Sequence, residues 1–170
     1  MTNIFNVAKY ILDTIGGEIS TMKLQKLCYY SQAWNLAWNG FPLFEENFLR
    51  WDNGPVCREL FDLHQGSFYV STSIIPESLL SGAMSEEEYR TVNRIMENYG
   101  KFSGDELSYM THNEDPWLNT PKDEIITKEN IELYYGNLPE AEKYDDPYFK
   151  SPEYEKDVAE AIEEFEKSNA

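Results

Sequence analysis

Apolar positions recur at helical spacing along most of the chain. Ile4, Val7, Ala8, Ile11, Leu12 and Ile15 follow at three- and four-residue steps and predict an amphipathic helix over residues 3–15, stopped by Gly16-Gly17. The stretch from Thr21 to Trp38 predicts a second helix that ends before Gly40. At about 100° per residue, Leu24, Leu27, Cys28, Ser31, Trp34, Asn35 and Trp38 share one face. Gln25, Tyr29, Gln32 and Leu36 share another, and Lys23, Lys26, Tyr30, Ala33 and Ala37 a third. Apolar or aromatic groups on every face mark a helix enclosed by its neighbours.

Further on, the β-rich runs Phe48–Trp51 and Phe68–Ile75 are expected to pair as a small antiparallel ribbon. Pro55 is expected to open a third helix at its first position, with Val56, Leu60 and Leu63 on the inner side. Ser85 and Glu88 form a capping box ahead of a fourth helix, whose stripe is Tyr89, Val92, Ile95, Met96 and Tyr99 and which stops at Gly100. A fifth begins with the box Ser103 and Glu106, stapled by Phe102 and Leu107, and runs to about Thr111. A sixth spans about Thr127 to Tyr135, with Ile126 and Ile131 as its staple. The fold class is therefore mainly α: a compact domain of about six helices with a small antiparallel β ribbon, over residues 1–138.

Residues 139–170 read as an acidic linker and a C-terminal amphipathic helix. Pro139 and Pro147 punctuate the linker, and Ser151-Pro152 reads as a cap with proline at the first helical position. Tyr154, Val158, Ala161, Ile162 and Phe165 then form one narrow apolar stripe. This segment holds 11 acids against 4 lysines, so much of the chain's negative charge sits there.

Composition narrows the function. With 170 residues, 41% hydrophobic and 15% aromatic, the chain can build a real core. Its net charge of −17 argues against a phosphate-binding face, so direct nucleic-acid binding is not expected. Such acidity suits a basic protein partner or mimicry of nucleic acid. Cys28 and Cys57 do not make a disulfide scaffold. The N-terminal stretch has no basic leader and no long apolar run, so a cytoplasmic protein with no membrane association is expected.

Candidate chemistry is sparse. His64, His112, Cys28 and Cys57 lack metal-ligand spacing; Cys57 and His64 lie two turns apart on one side of a helix, too few ligands for a closed zinc site. There is no Gly-rich phosphate loop and no nucleophile elbow. No metal, cofactor or catalytic residue is therefore expected. His112, Glu114 and Asp115 are the best acid–base candidates. A structural role outweighs catalysis there: Asn113, Asp115 and Pro116 form a turn, Trp117 plugs the chain into the core, and His112 caps the preceding helical carbonyls. On the second helix, Lys23, Lys26, Tyr29 and Tyr30 are candidates for a protein-contact face.

Three ordered segments carry a family resemblance. They are Met22-Lys23-Leu24-Gln25-Lys26-Leu27 with Tyr29-Tyr30 and Trp34; Trp51 with Gly54-Pro55-Val56; and Tyr99-Gly100 followed by Leu107-Ser108, Thr111-His112 and Pro116-Trp117. Together they resemble the Panacea antitoxin domain, also called SocA-like or phage-associated GepA-like, over about residues 4–135. The resemblance implies a helical, non-enzymatic antitoxin, encoded beside a toxin and neutralising it by direct binding. The family pairs with many unrelated toxins, including alarmone-synthetase-like enzymes that block translation; one relative delivers its toxin to the ClpXP protease, and members occur in prophages. Asn35 stands after Trp34 where the family often has His or Gly, and residues 139–170 lie outside the resemblance.

The expectation is therefore a toxin antagonist whose specificity lies in its tail. Tyr154, Val158, Ala161, Ile162 and Phe165 would enter an apolar groove on the toxin. Asp157, Glu160, Glu163 and Glu164 would steer toward a basic surface, and Lys23, Lys26, Tyr29 and Tyr30 would add a second contact. Alternatively, the tail stripe docks on the chain's own core or on a second copy in a homodimer. Other readings are a protease adaptor, an enzyme centred on His112, Glu114 and Asp115, and a phage counter-defence protein.

Overall fold

The computed structural model describes residues 1–141 and 152–168. In chain order the elements are α1 (Ile4–Ile15), β1 (Ile19–Ser20), α2 (Thr21–Asn39), β2 (Phe48–Trp51), β3 (Gly54–Cys57), α3 (Arg58–His64), β4 (Tyr69–Val70), α4 (Glu86–Tyr99), α5 (Gly104–His112), α6 (Asp115–Leu118), β5 (Ile125–Ile126), α7 (Lys128–Gly136) and α8 (Pro152–Ser168). The fold is mainly helical with two small antiparallel sheets, ordered β1-β4 and β3-β2-β5.

Local chemistry sets the helix ends. Asn3 Oδ1 accepts from Asn6 N at 2.9 Å to start α1, and Ser20 Oγ accepts from Lys23 N at 3.0 Å to start α2. The capping boxes of Ser85 with Glu88 and Ser103 with Glu106 are both formed. Each such cap contributes about 1 kcal/mol. Gly40 takes the left-handed conformation at φ 77° and closes α2 on the Leu36 carbonyl.

Helix α2 is the spine. The thirteen residues from Leu24 to Leu36 are all buried, enclosed by α1, α4, α5, α7 and β3. A helix without an exposed face must satisfy its polar side chains internally. Gln32 accepts from Leu43 N and donates to Phe44 O, both at 2.6 Å; Asn35 donates to Phe41 O at 2.8 Å and accepts from Thr91 Oγ1 at 2.8 Å.

The strand pairing differs from the expected ribbon. Phe48–Trp51 pairs with Gly54–Cys57 on one side and with Ile125–Ile126 on the other, not with Phe68–Ile75. Of that second run, Tyr69–Val70 pairs with Ile19–Ser20, and Thr72–Ile74 turns into a 3-10 helix. Pro55 lies in strand β3 and does not open a helix; α3 starts at Arg58. The physical reason is that β3 is an edge strand, where a proline opposite Arg50 removes no ladder bond the sheet requires.

Helix α8 lies against α1 and α4 of the same chain. Ile162 is half-buried against the core, and Glu155 stands 3.8 Å from Arg90 on α4. The linker read over 139–150 falls largely outside the described residues.

Candidate functional site

The segments that carried the family resemblance meet around one hairpin. Trp51 pairs with Gly54, so Asp52 and Asn53 form a two-residue tip between β2 and β3. This tip and the strand after it expose carbonyls that no ladder can satisfy. Trp117 Nε1 donates to Trp51 O at 2.9 Å, and His112 Nε2 lies 2.7 Å from Asp52 O. Ser108 Oγ donates to Asn53 O at 2.6 Å, and Lys26 Nζ to Pro55 O at 3.1 Å. Gln25 then behaves as a further strand: its amide donates to Cys57 O at 3.1 Å and accepts from Cys57 N at 2.9 Å. Helices α2, α5 and α6 thus clamp successive backbone groups of one hairpin.

Gly54 is required at the centre of this clamp. It sits at φ +111°, and a Cβ there would lie 2.5 Å from Lys26 Cε and 2.8 Å from Thr111 Oγ1. Trp117 is held between the Arg50 guanidinium, 3.6 Å from its ring centre, and the His112 ring at 4.1 Å. His112 Nδ1 also lies 2.6 Å from Ser108 O, so it sits on a carbonyl of its own last helical turn, as expected.

Beside the hairpin opens a cavity of about 390 Å³, lined by Gln25, Lys26, Trp51, Val56, Phe61 and His64 among others. Lys26 is 1% exposed, and desolvation pulls its ammonium down from 10.5 to about 7. His64 is buried too. Its Nε2 lies 3.0 Å from Gln25 Nε2, which can only donate, so this nitrogen accepts and the neutral ring carries its proton on Nδ1. Burial lowers the His64 pKa, which favours the same neutral state. A recess of about 670 Å³ shares Thr21, Met22, Asn53, Phe61 and His64 with the cavity. It runs on to Phe68 and Tyr69, which are 84% and 65% exposed.

On the far side of α2, Glu114 Oε1 accepts from Tyr30 Oη at 2.6 Å and from Tyr135 Oη at 2.9 Å. Desolvation raises this carboxyl from 4.5 to about 7, against the opposing pull of the two phenols. Tyr30 stacks on Tyr99 at 4.3 Å, and Trp34 Nε1 donates to Tyr99 Oη at 2.8 Å. Glu114 therefore organises a buried aromatic cluster. His112 is turned toward the hairpin and Asp115 is exposed, so the three do not converge as an acid–base centre.

The expected contact residues separate into three groups. Lys26, Tyr29 and Tyr30 are fully buried, a correction to their reading as a contact face: the hairpin, α5 and α7 cover the sides of α2 that carry them. Lys23 is half-buried and donates to Gly100 O at 2.7 Å. Asp157 and Glu160 are exposed on α8, with Glu163 and Glu164 beside them. Ile162 is half-buried against the chain's own core, the alternative given above for the tail stripe. The side chains of Tyr154, Val158, Ala161 and Phe165 lie outside the described residues. The motif residues Leu24, Leu27, Trp34, Pro116 and Trp117 are buried, and Thr111 packs under Gly54.

Periodicity and spacing do not single out Gln25, Cys57, His64 and Ser108 as members of one site. The seven-residue spacing of Cys57 and His64 is the available signal; Cys57 ends β3 and only His64 lies on α3, a correction to their shared helix, and both meet Gln25. No helix among the described residues is long and apolar enough to cross a membrane. A family model described as "Antitoxin SocA-like, Panacea domain" matches residues 24–118, which run from the buried part of α2 to the end of α6. Neither a curated protein nor a solved structure matches the chain.

Proposed function

The chain belongs to the SocA-like Panacea antitoxin family, and on that premise we propose that it neutralises a cognate toxin, encoded beside it, by direct protein–protein binding. The observation that carries this reading is the family match across the clamped hairpin and the helices that hold it. The candidate toxin is a translation-blocking enzyme of the alarmone-synthetase type. The net charge of −17 suits a basic surface on it. Helix α8 turns Ile162 toward the core and leaves Asp157, Glu160, Glu163 and Glu164 exposed, an arrangement suited to steering encounter.

The test is co-expression with the product of the adjacent open reading frame. Rescue of growth together with a co-purifying complex is expected. Failure of rescue, or rescue without a complex, overturns the proposal. Toxin half-life measured in the same cells separates a blocker from a protease adaptor: a blocker leaves it unchanged or longer.

A further inference from the structure

Lys26 is the one group of the clamp whose chemistry exceeds its structural task. Its Nζ donates to Pro55 O, which engages one of three hydrogens. No acidic side chain among the described residues pairs with it, and burial acts on its charge without a compensating neighbour. A buried charge without a partner is unfavourable, and a carboxylate brought beside it relieves that penalty on arrival. The side chain lines a cavity that opens at the surface.

From this placement we infer that the cavity between the start of α2, the β2–β3 hairpin and α3 binds a carboxylate carried on an apolar or aromatic body. The cavity volume of about 390 Å³ falls in the range of small-molecule sites. Met22, Trp51, Val56 and Phe61 supply its apolar wall, with the Trp51 and Phe61 rings edge-to-face at 4.9 Å. Thr21 and Met22 belong to the first turn of the 19-residue α2, whose positive dipole end favours an anion. Gln25 is committed to Cys57, and His64 is neutral, so Lys26 is the group left to take the charge. Lys122 is bound to Asp52 at 3.3 Å, and Asp123 also lines the opening. These acids disfavour a polyanion and select a single negative charge.

The carboxylate has two sources: a free small acid, or the carboxylate of a protein segment lying along the recess toward Phe68 and Tyr69. This inference goes beyond the antitoxin reading and is measured on the isolated protein, so either can fail alone. Isotope-labelled protein is titrated with phenylacetate, with phenylacetamide, and with the tripeptide Gly-Gly-Phe as free acid and as C-terminal amide. Saturable shifts are expected at the Trp51 indole and the Gln25 amide, with the acid about tenfold tighter than its amide. The Lys26 Cε resonance of the wild-type protein should move with the acid and not with the amide, a readout that needs no variant. Lys26→Met should abolish the acid preference. A tighter peptide acid assigns the carboxylate to a protein segment; a tighter phenylacetate assigns it to a small molecule. Equal affinity for acid and amide, an acid preference that survives Lys26→Met, or no saturable shift with any probe overturns the inference.

Discussion

Replacing Lys26 by methionine keeps the length of the side chain and removes its charge. In the folded protein the ammonium titrates at about 7 rather than 10.5, because it is fully desolvated. Below about pH 7 the native state must carry a buried positive charge. Between there and 10.5 the unfolded chain holds a proton that the native state has lost, so wild-type stability rises with pH. At 1.36 kcal/mol per pH unit, the full penalty at low pH is about 5 kcal/mol, and about 3 kcal/mol of it is relieved between pH 6 and pH 9. The substitution also leaves Pro55 O without its donor, which costs about 1–3 kcal/mol. Lys26→Met should therefore be more stable than wild type by about 2 kcal/mol at pH 6, and should lose that advantage by pH 9. Urea unfolding at pH 6, 7.5 and 9 measures both chains on one scale. Parallel stability profiles across that range would refute the reasoning, since they would mean that Lys26 keeps its ordinary titration inside the fold.

Glu114→Gln works in the opposite direction: the wild-type carboxyl is raised to about 7, so its contribution falls as pH climbs from 4.5 to 7. Thermal melts should show that the variant lacks this decline, which amounts to at most about 3 kcal/mol. Gly54→Ala should lower stability by more than about 3 kcal/mol, because it combines a left-handed backbone with a clash against Lys26 and Thr111; denaturant midpoints measure it. Reversing Glu160 and Glu163 to lysine should slow toxin association about tenfold at low salt and lower stability by about 1 kcal/mol or less, since each gives up an exposed pair with Lys156 or Lys167. Stopped-flow rates that do not depend on these acids would remove α8 from the steering role.

The helices were readable because their signals are local. Ser85 with Glu88, Ser103 with Glu106, and Gly40 after α2 each act within one turn, and each forms as the spacing implied. The hairpin was obscured by Asn53-Gly54-Pro55, which suits a turn before a helix as well as a turn into an edge strand. Nothing local decides between these; the contact of Gly54 with Lys26 and Thr111 does. Lys26 is a contact candidate by its residue type, since periodicity reports polarity and not what lies over each face. Helix α8 is legible as amphipathic, but its packing on α1 and α4 depends on where those helices leave open surface.

The hairpin clamp also sets an order of events in synthesis. The hairpin closes over four residues, yet its carbonyls find partners 29 and 32 residues upstream and 55, 60 and 66 residues downstream. A nascent chain that has emerged only through α3 holds two of these five partners, Gln25 and Lys26, while those of Trp51, Asp52 and Asn53 are still to be made. Native packing around the cavity therefore waits for the segment from Ser108 to Asp123. A chain that ends before Trp117 lacks the indole donor to Trp51 O, so the clamp is complete only once the segment through α6 has been made.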